Sequence, residues 1–165
     1  MKSIILVLFI FITGCNQKIE NKSLHHKVLE LVISEGNIGQ KFIVKQIDKA
    51  QVYELEIVYL GKIEKYKIVF STIFSGKYVD SKRANSYLYL FDNENNLVGY
   101  YYVGGKYEKS PYVLDKKIIL PPDLRNDCKV TNQIDLSKKI PSEIFIDCKD
   151  GYGDLYKFDF TDSID

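Results

Sequence analysis

The sequence has no tryptophan, one methionine and two histidines in 165 residues. Alanine is scarce as well. The histidines are adjacent, His25-His26, close to the N-terminus. On a helix neighbouring side chains diverge by about 100°, so the pair does not converge on a metal ion, and both are expected at the surface. The rest of the chain therefore has no imidazole to act as a general base. Phosphate loops, dinucleotide fingerprints and the His-Glu-x-x-His pattern are missing, as is the Gly-x-Ser-x-Gly elbow. Asp92-x-Glu94-x-Asn96 has the acidic spacing of a calcium loop, but Leu97 stands where the glycine belongs and no glutamate follows at the bidentate position. These absences predict a protein that is not an enzyme, with no catalytic residues, no metal and no cofactor. A surplus of one charge sign is lacking too. Lys and Arg number 23 against 22 Asp and Glu, a formal net charge of +1. No basic excess is available to neutralise phosphates, so nucleic acid is not expected as a partner. The longest apolar run, Ile4 to Ile12, is far short of the ~20 residues a membrane-spanning helix needs.

That run has a different use. Met1-Lys2-Ser3 supplies a positive start, Ile4 to Ile12 an apolar centre, and Thr13-Gly14 a small-residue exit, the order of a secretory signal peptide. The exit sequence Ile12-Thr13-Gly14-Cys15 resembles the lipobox of bacterial lipoproteins. The resemblance implies cleavage before Cys15, lipidation of its sulfur and acylation of the new amino group. More than one acyl chain makes such anchoring stable. Asn16 is not the aspartate that marks retention in the inner membrane, so the resemblance favours the outer membrane of the cell envelope. The alternative is an ordinary secreted protein in which Cys15 is incidental. The expected organisation is a signal peptide over 1–14, a lipidated tether over 15–22 and a single domain over 23–165. Residues 1–14 hold Lys2 and no acid, so the mature chain balances its charges, and charge alone would not hold it to anionic lipid heads.

The domain is large enough to bury a core without staples. The thirteen Tyr and nine Phe of the whole chain, with Ile and Val, favour strands. The fold class expected is mostly β (α+β): an antiparallel sheet or a small barrel with one N-terminal helix. Leu24, Val28, Leu31 and Val32 fall at the spacing of one helix face. They predict a helix from about Leu24 to Ser34, capped by Ser23 and ended by Gly36 in a left-handed conformation; Val32-Ile33 leaves a strand open. Strands are expected at Phe42 to Val44, Val52 to Leu60 and Tyr66 to Phe74, with a turn at Gly61-Lys62. In the second of these, Tyr53, Leu55, Ile57 and Tyr59 alternate with Glu54 and Glu56. Gly76 to Asn85 reads as a loop. Ser86 to Phe91 and Leu97 to Val103 form a hairpin around Asp92-Asn93-Glu94-Asn95-Asn96, residues that close turns with their side chains. A short strand at Lys117 to Leu120, a loop over Asp123 to Asp127 and a final strand at Leu155 to Phe160 complete the pattern.

Cys128 and Cys148 remain as a pair, and in an exported protein a disulfide is expected. Pairing them across an antiparallel hairpin sets Val130 opposite Ile146 and Asn132 opposite Ile144, giving one apolar and one polar face. Lipidation of Cys15 and this bond would leave no free thiol. The tyrosines are the remaining lead. Tyr87, Tyr89, Tyr100, Tyr101, Tyr102, Tyr107 and Tyr112 cluster in or after the hairpin. Tyr100 and Tyr102 point to one side and Tyr101 to the other. Tyr100, Tyr101 and Tyr102 are the candidate partner-binding residues, since exposed tyrosine is favoured at interfaces; the alternative is that the rings only pack the sheet. Ser75-Gly76-Lys77-Tyr78 resembles the Ser-Gly-x-x-Tyr stretch of periplasmic lysozyme-inhibitor lipoproteins, one residue short in spacing, and the overall profile is similar to that of immunity lipoproteins. Three readings follow: a non-catalytic envelope lipoprotein that binds another, unknown protein through its sheet; an inhibitor or immunity protein against a lysozyme-like or toxin enzyme; or a structural subunit of outer-membrane assembly.

Overall fold

A computed structural model describes residues 24–47, 52–122 and 128–161. The signal peptide, Cys15, the tether, Ser23 and the stretch Asp123 to Asp127 lie outside the described residues. Helix α1 spans Leu24–Glu35. A meander follows: β1 (Lys41–Ile47), β2 (Val52–Ile63), β3 (Tyr66–Gly76), β4 (Arg83–Phe91) and β5 (Leu97–Tyr102). Then come β6 (Tyr112–Leu114), β7 (Lys117–Leu120), β8 (Asn132–Asp135), β9 (Glu143–Lys149) and β10 (Tyr152–Phe160). The large sheet has the order β1-β2-β3-β4-β5-β10-β9 and is antiparallel throughout. β6-β7-β8 form a second antiparallel sheet. The chain is thus mostly β with one helix. The barrel alternative does not hold, because β1 and β9 are both edges and do not pair with each other.

Strand alternation builds two cores on opposite faces of the large sheet. On one face Leu29, Val32 and Ile33 of α1 pack on Leu55, Ile57, Val69, Tyr89 and Phe91. On the other, Ile118, Leu120, Ile134 and Leu136 from the small-sheet region pack on Leu88, Leu90, Tyr101, Val103 and Phe158. The result is helix, large sheet, small sheet, in three layers.

Four local expectations change. Gly36 is not left-handed; its N–H donates to the Val32 carbonyl, and a Cβ there would collide with that same oxygen, so space selects glycine. The turn expected at Gly61-Lys62 is a bulge within β2, between Tyr59 and Gly61. Gly61 takes φ +115 there, and the extra residue returns Ile63 to the core with Val58 and Leu60. The turn itself lies at Glu64-Lys65. The loop expected over Gly76 to Asn85 is shorter, because ladder pairs Ser75 with Arg83 and Phe74 with Ala84 extend both strands. The helix buries a face rotated from the one predicted: Leu29, Val32 and Ile33 are inside and Leu31 is exposed.

Candidate functional site

The site is built from the β4–β5 hairpin. Its turn closes as its residues dictate. The Asp92 carboxylate accepts from the Asn96 backbone N–H at 2.8 Å and from the Asn96 side-chain amide at 2.9 Å, which holds its pKa below the usual carboxylate range, and Asn95 adopts φ 70. That turn fixes the register: Tyr87 opposite Tyr102, Leu88 opposite Tyr101, Tyr89 opposite Tyr100. Cross-strand tyrosines therefore meet directly. Tyr87 lies 5.5 Å from Tyr102 and 5.8 Å from Tyr100, and Tyr89 lies 5.5 Å from Tyr100, within the range where aromatic pairs attract beyond simple area burial.

The three candidate tyrosines separate by face. Tyr101 is fully buried, packs on Phe158 at 4.8 Å and donates from its hydroxyl to the Pro141 carbonyl. It does not belong to a contact surface, because the small-sheet layer covers its side of the large sheet. Tyr100 is half-buried and Tyr102 is 38% exposed, both on the helix side. Burial, and then the neighbouring phenols, raise the pKa of Tyr87 and of Tyr89.

The helix does not cover this whole face. A 12-residue helix is about 18 Å long and about 10 Å wide, whereas seven strands at about 4.8 Å spacing span about 29 Å. α1 packs on β2 and β3 and reaches β4 through His25, whose Nε2 lies 3.2 Å from the Ser71 hydroxyl and whose ring meets Tyr89 edge-on at 5.4 Å. This corrects the surface placement expected for His25. It shares the packed helix face with Leu29 and Val32, at spacings of four and seven. The His26 side chain lies outside the described residues.

Beyond β4 the helix face continues onto β10 and β9. Asp159 sits opposite Tyr100, and Leu155 opposite Phe145. Leu155 and Phe145 are 57% and 52% exposed. Tyr87, Tyr100, Tyr102, Leu155 and Phe145 thus share one side of β4-β5-β10-β9, with Asp159, Lys157 and Glu143 among them. Sequence reasoning found the tyrosines and missed Leu155 and Phe145, since their membership depends on β10 pairing with β5, a contact between distant segments. The period-2 alternation of Leu155, Lys157 and Asp159 was the available signal.

Cys128 and Cys148 lie sulfur against sulfur, with Cα atoms 4.1 Å apart. The hairpin drawn around them is not the one that forms. β8 pairs with β7, setting Asn132 opposite Leu120, and β9 pairs with β10. Near the cysteines the two arms still touch. The Lys129 N–H donates to the Cys148 carbonyl at 3.0 Å. The Asn132 side chain donates to the Asp147 carbonyl and accepts from the Asp147 N–H, both at 2.8 Å. Asn132 thus faces Asp147 rather than Ile144, because burying Ile134 against Ile118 commits β8 to the small sheet. The cysteine pair ties the segment leading into β8 to the end of β9. Ser75-Gly76-Lys77-Tyr78 spans the end of β3 and the start of its loop, where Tyr78 is exposed.

No family model, curated protein or solved structure matches the chain. Among the described residues no helix is long and apolar enough to cross a membrane.

Proposed function

We propose that the protein is a non-catalytic lipoprotein of the bacterial envelope, anchored through Cys15, that binds another protein through the uncovered half of its large sheet. The observation that carries this reading is the run of aromatic and aliphatic side chains, Tyr87, Tyr100, Tyr102, Leu155 and Phe145, on a sheet face that α1 leaves open. The patch mixes tyrosines, which suit a protein interface, with Lys157, Glu143 and Asp159, which can register a partner through rim charges. Membrane attachment through acyl chains leaves the domain free to present this face.

The test is photo-crosslinking in cells from positions 102 and 155, with position 112, on the small sheet, as control. A protein captured from 102 and 155 and not from 112 is then purified and titrated against the chain. Tyr100→Ala/Tyr102→Ala should weaken its binding at least tenfold, and Tyr112→Ala should leave it unchanged. Equal binding by all variants overturns the reading.

A second reading, an inhibitor of a lysozyme-like enzyme, is favoured by the exposed Tyr78 in the β3–β4 connection. It predicts that Tyr78→Ala abolishes inhibition while Tyr100→Ala/Tyr102→Ala does not.

A further inference from the structure

The two edges of the large sheet, β1 and β9, are not alike. β1 carries Lys41 and Lys45, whose ammonium groups pair with Glu56 and Glu54 of β2. Lysines along an edge are a common guard against pairing with another chain. β9 opens with Glu143-Ile144-Phe145-Ile146, in which Phe145 is exposed and no lysine stands.

The hydrogen-bond phase of β9 fixes which main-chain groups it leaves open. The Phe158 N–H donates to the Ser142 carbonyl at 2.9 Å, so these residues form a bonded pair. In an antiparallel ladder bonded pairs recur at every second residue, which makes Ile144 with Tyr156 and Ile146 with Asp154 the next two. Glu143, Phe145 and Asp147 therefore turn their N–H and C=O groups away from β10. At Asp147 the edge is already closed. The Asn132 side chain donates to its carbonyl and accepts from its N–H, both at 2.8 Å, the two bonds an added strand would make. The N–H and C=O groups of Glu143 and of Phe145 have no partner among the described residues. The open set is thus two donors and two acceptors, on residues two apart.

We propose that β9 pairs with β9 of a second copy of this chain, antiparallel and two-fold symmetric about Ile144. In that register Glu143 faces the second copy's Phe145 as a bonded pair, and Phe145 faces the second copy's Glu143. Four bonds satisfy every open group on both chains. Neighbouring registers fail for reasons local to this sequence. Centring on Phe145 sets Glu143 against Asp147, whose groups Asn132 occupies. Centring on Glu143 sets two carboxylates opposite each other, which is destabilising, and sets Phe145 against Pro141, which has no N–H to give. The contact is isologous and closes at two chains, since the lysine-bearing β1 edge does not extend the sheet. The two-fold axis stands perpendicular to the sheet, so both helices lie on one side of it. Both chains then enter at Leu24 from the same side, compatible with two anchors in one membrane. The proposal uses the sheet edge and does not depend on a partner at the tyrosine face.

The experiment joins sedimentation equilibrium of the full chain, in a density-matched mild detergent, to cysteine trapping. The wild-type chain should show a reversible monomer–dimer equilibrium. Glu143→Pro removes one donor per chain at a position whose N–H lies outside the β9–β10 ladder, where proline is tolerated. It should raise the dimer Kd at least tenfold, as expected for losing two bonds per dimer. Glu143→Gln, which keeps the main chain, should leave the Kd within about twofold of wild type. In a mixture of Glu143→Cys and Phe145→Cys chains, mild oxidation should join unlike chains, because residues facing in a bonded pair have Cα atoms about 5.5 Å apart. It should not join like chains, whose positions are offset by two residues, about 6.8 Å along the strand, and so lie beyond the ~7 Å reach of a disulfide. Three results would each overturn the proposal: a monomer at about 1 mM, the weak end of specific association; an unchanged Kd in Glu143→Pro; or like chains joining as readily as unlike ones. Should Glu143→Pro disturb the fold by circular dichroism, the cysteine mixture decides.

Discussion

Truncating adjacent tyrosines of β5 should have opposite consequences. Tyr101→Ala removes a fully buried ring, its contact with Phe158 and the hydroxyl that satisfies the Pro141 carbonyl. Large aromatic deletions in a packed core cost about 3–5 kcal/mol. Tyr101→Phe keeps the ring and leaves only the Pro141 oxygen without its donor, which costs about 1–2 kcal/mol. Tyr102→Ala loses edge contacts with Tyr87 and Tyr156 at the exposed rim, about 1 kcal/mol or less. With a urea m-value of about 2 kcal/mol/M, the midpoint should fall by about 2 M for Tyr101→Ala, somewhat under 1 M for Tyr101→Phe, and half a molar or less for Tyr102→Ala. The assay is equilibrium urea unfolding followed by far-ultraviolet circular dichroism, with m required to stay constant. A Tyr102→Ala midpoint as low as that of Tyr101→Ala would refute the assignment of the two faces, and with it the open aromatic surface.

Three further outcomes are expected. Non-reducing peptide mapping of protein recovered from the envelope should give one linked species holding Cys128 and Cys148, and Cys128→Ser/Cys148→Ser should lose about 3 kcal/mol by the loop-closure estimate for a ring of ~20 residues; two free thiols would contradict this. Cys15→Ser should release the protein from membranes, and the intact mass of the mature wild-type chain should exceed that of its polypeptide by the acyl groups; an unmodified mass would exclude the anchor. In alkali, Tyr156, with a folded pKa of about 12 against an ordinary 10.0, contributes stability that is complete below pH 10 and lost as pH rises through 10 towards 12. Burial likewise raises Tyr89 and Tyr101. Tyrosinate absorbance should therefore rise in two phases, the second coincident with unfolding, and a single phase centred near 10 with the fold intact would show that these hydroxyls are not held neutral.

Elements whose pattern is local were legible in the sequence. Tyr53, Leu55, Ile57 and Tyr59 alternate with glutamates, and all four pack on the helix side. The Asp92–Asn96 turn carries its own side-chain bonds. Lys117–Leu120 is bounded by turn signals and emerges as β7. β6 escaped notice because its hairpin turns on Asp115-Lys116, both at positive φ (47 and 62), without the Gly or Asn that usually announces such a turn. The β8 partner was misread for a different reason. The alternation of residues 130–134 is satisfied equally by β9 and by β7, and only the burial of Ile134 beside Ile118 separates the two. His25 was misjudged because a polar identity hides a position on the packed helix stripe.

The tyrosine count shows why composition points to the open face without locating it. One residue type fills a continuous range of environments here. Tyr101 is wholly inside with its hydroxyl on a backbone carbonyl. Tyr89 is buried under His25. Tyr87 and Tyr100 are half-covered, and Tyr102 reaches solvent. Phenylalanine would serve the first two about as well, apart from the hydrogen bond. It would leave the last three as bare hydrocarbon on a sheet face wider than its helix, a surface prone to aggregation. Tyrosine fits because its ring packs while its hydroxyl is wetted. The preference for Tyr over Phe along β4 and β5 is thus a consequence of incomplete cover: a 12-residue helix on a seven-stranded sheet leaves a margin that has to be apolar enough to pack and polar enough to remain in water.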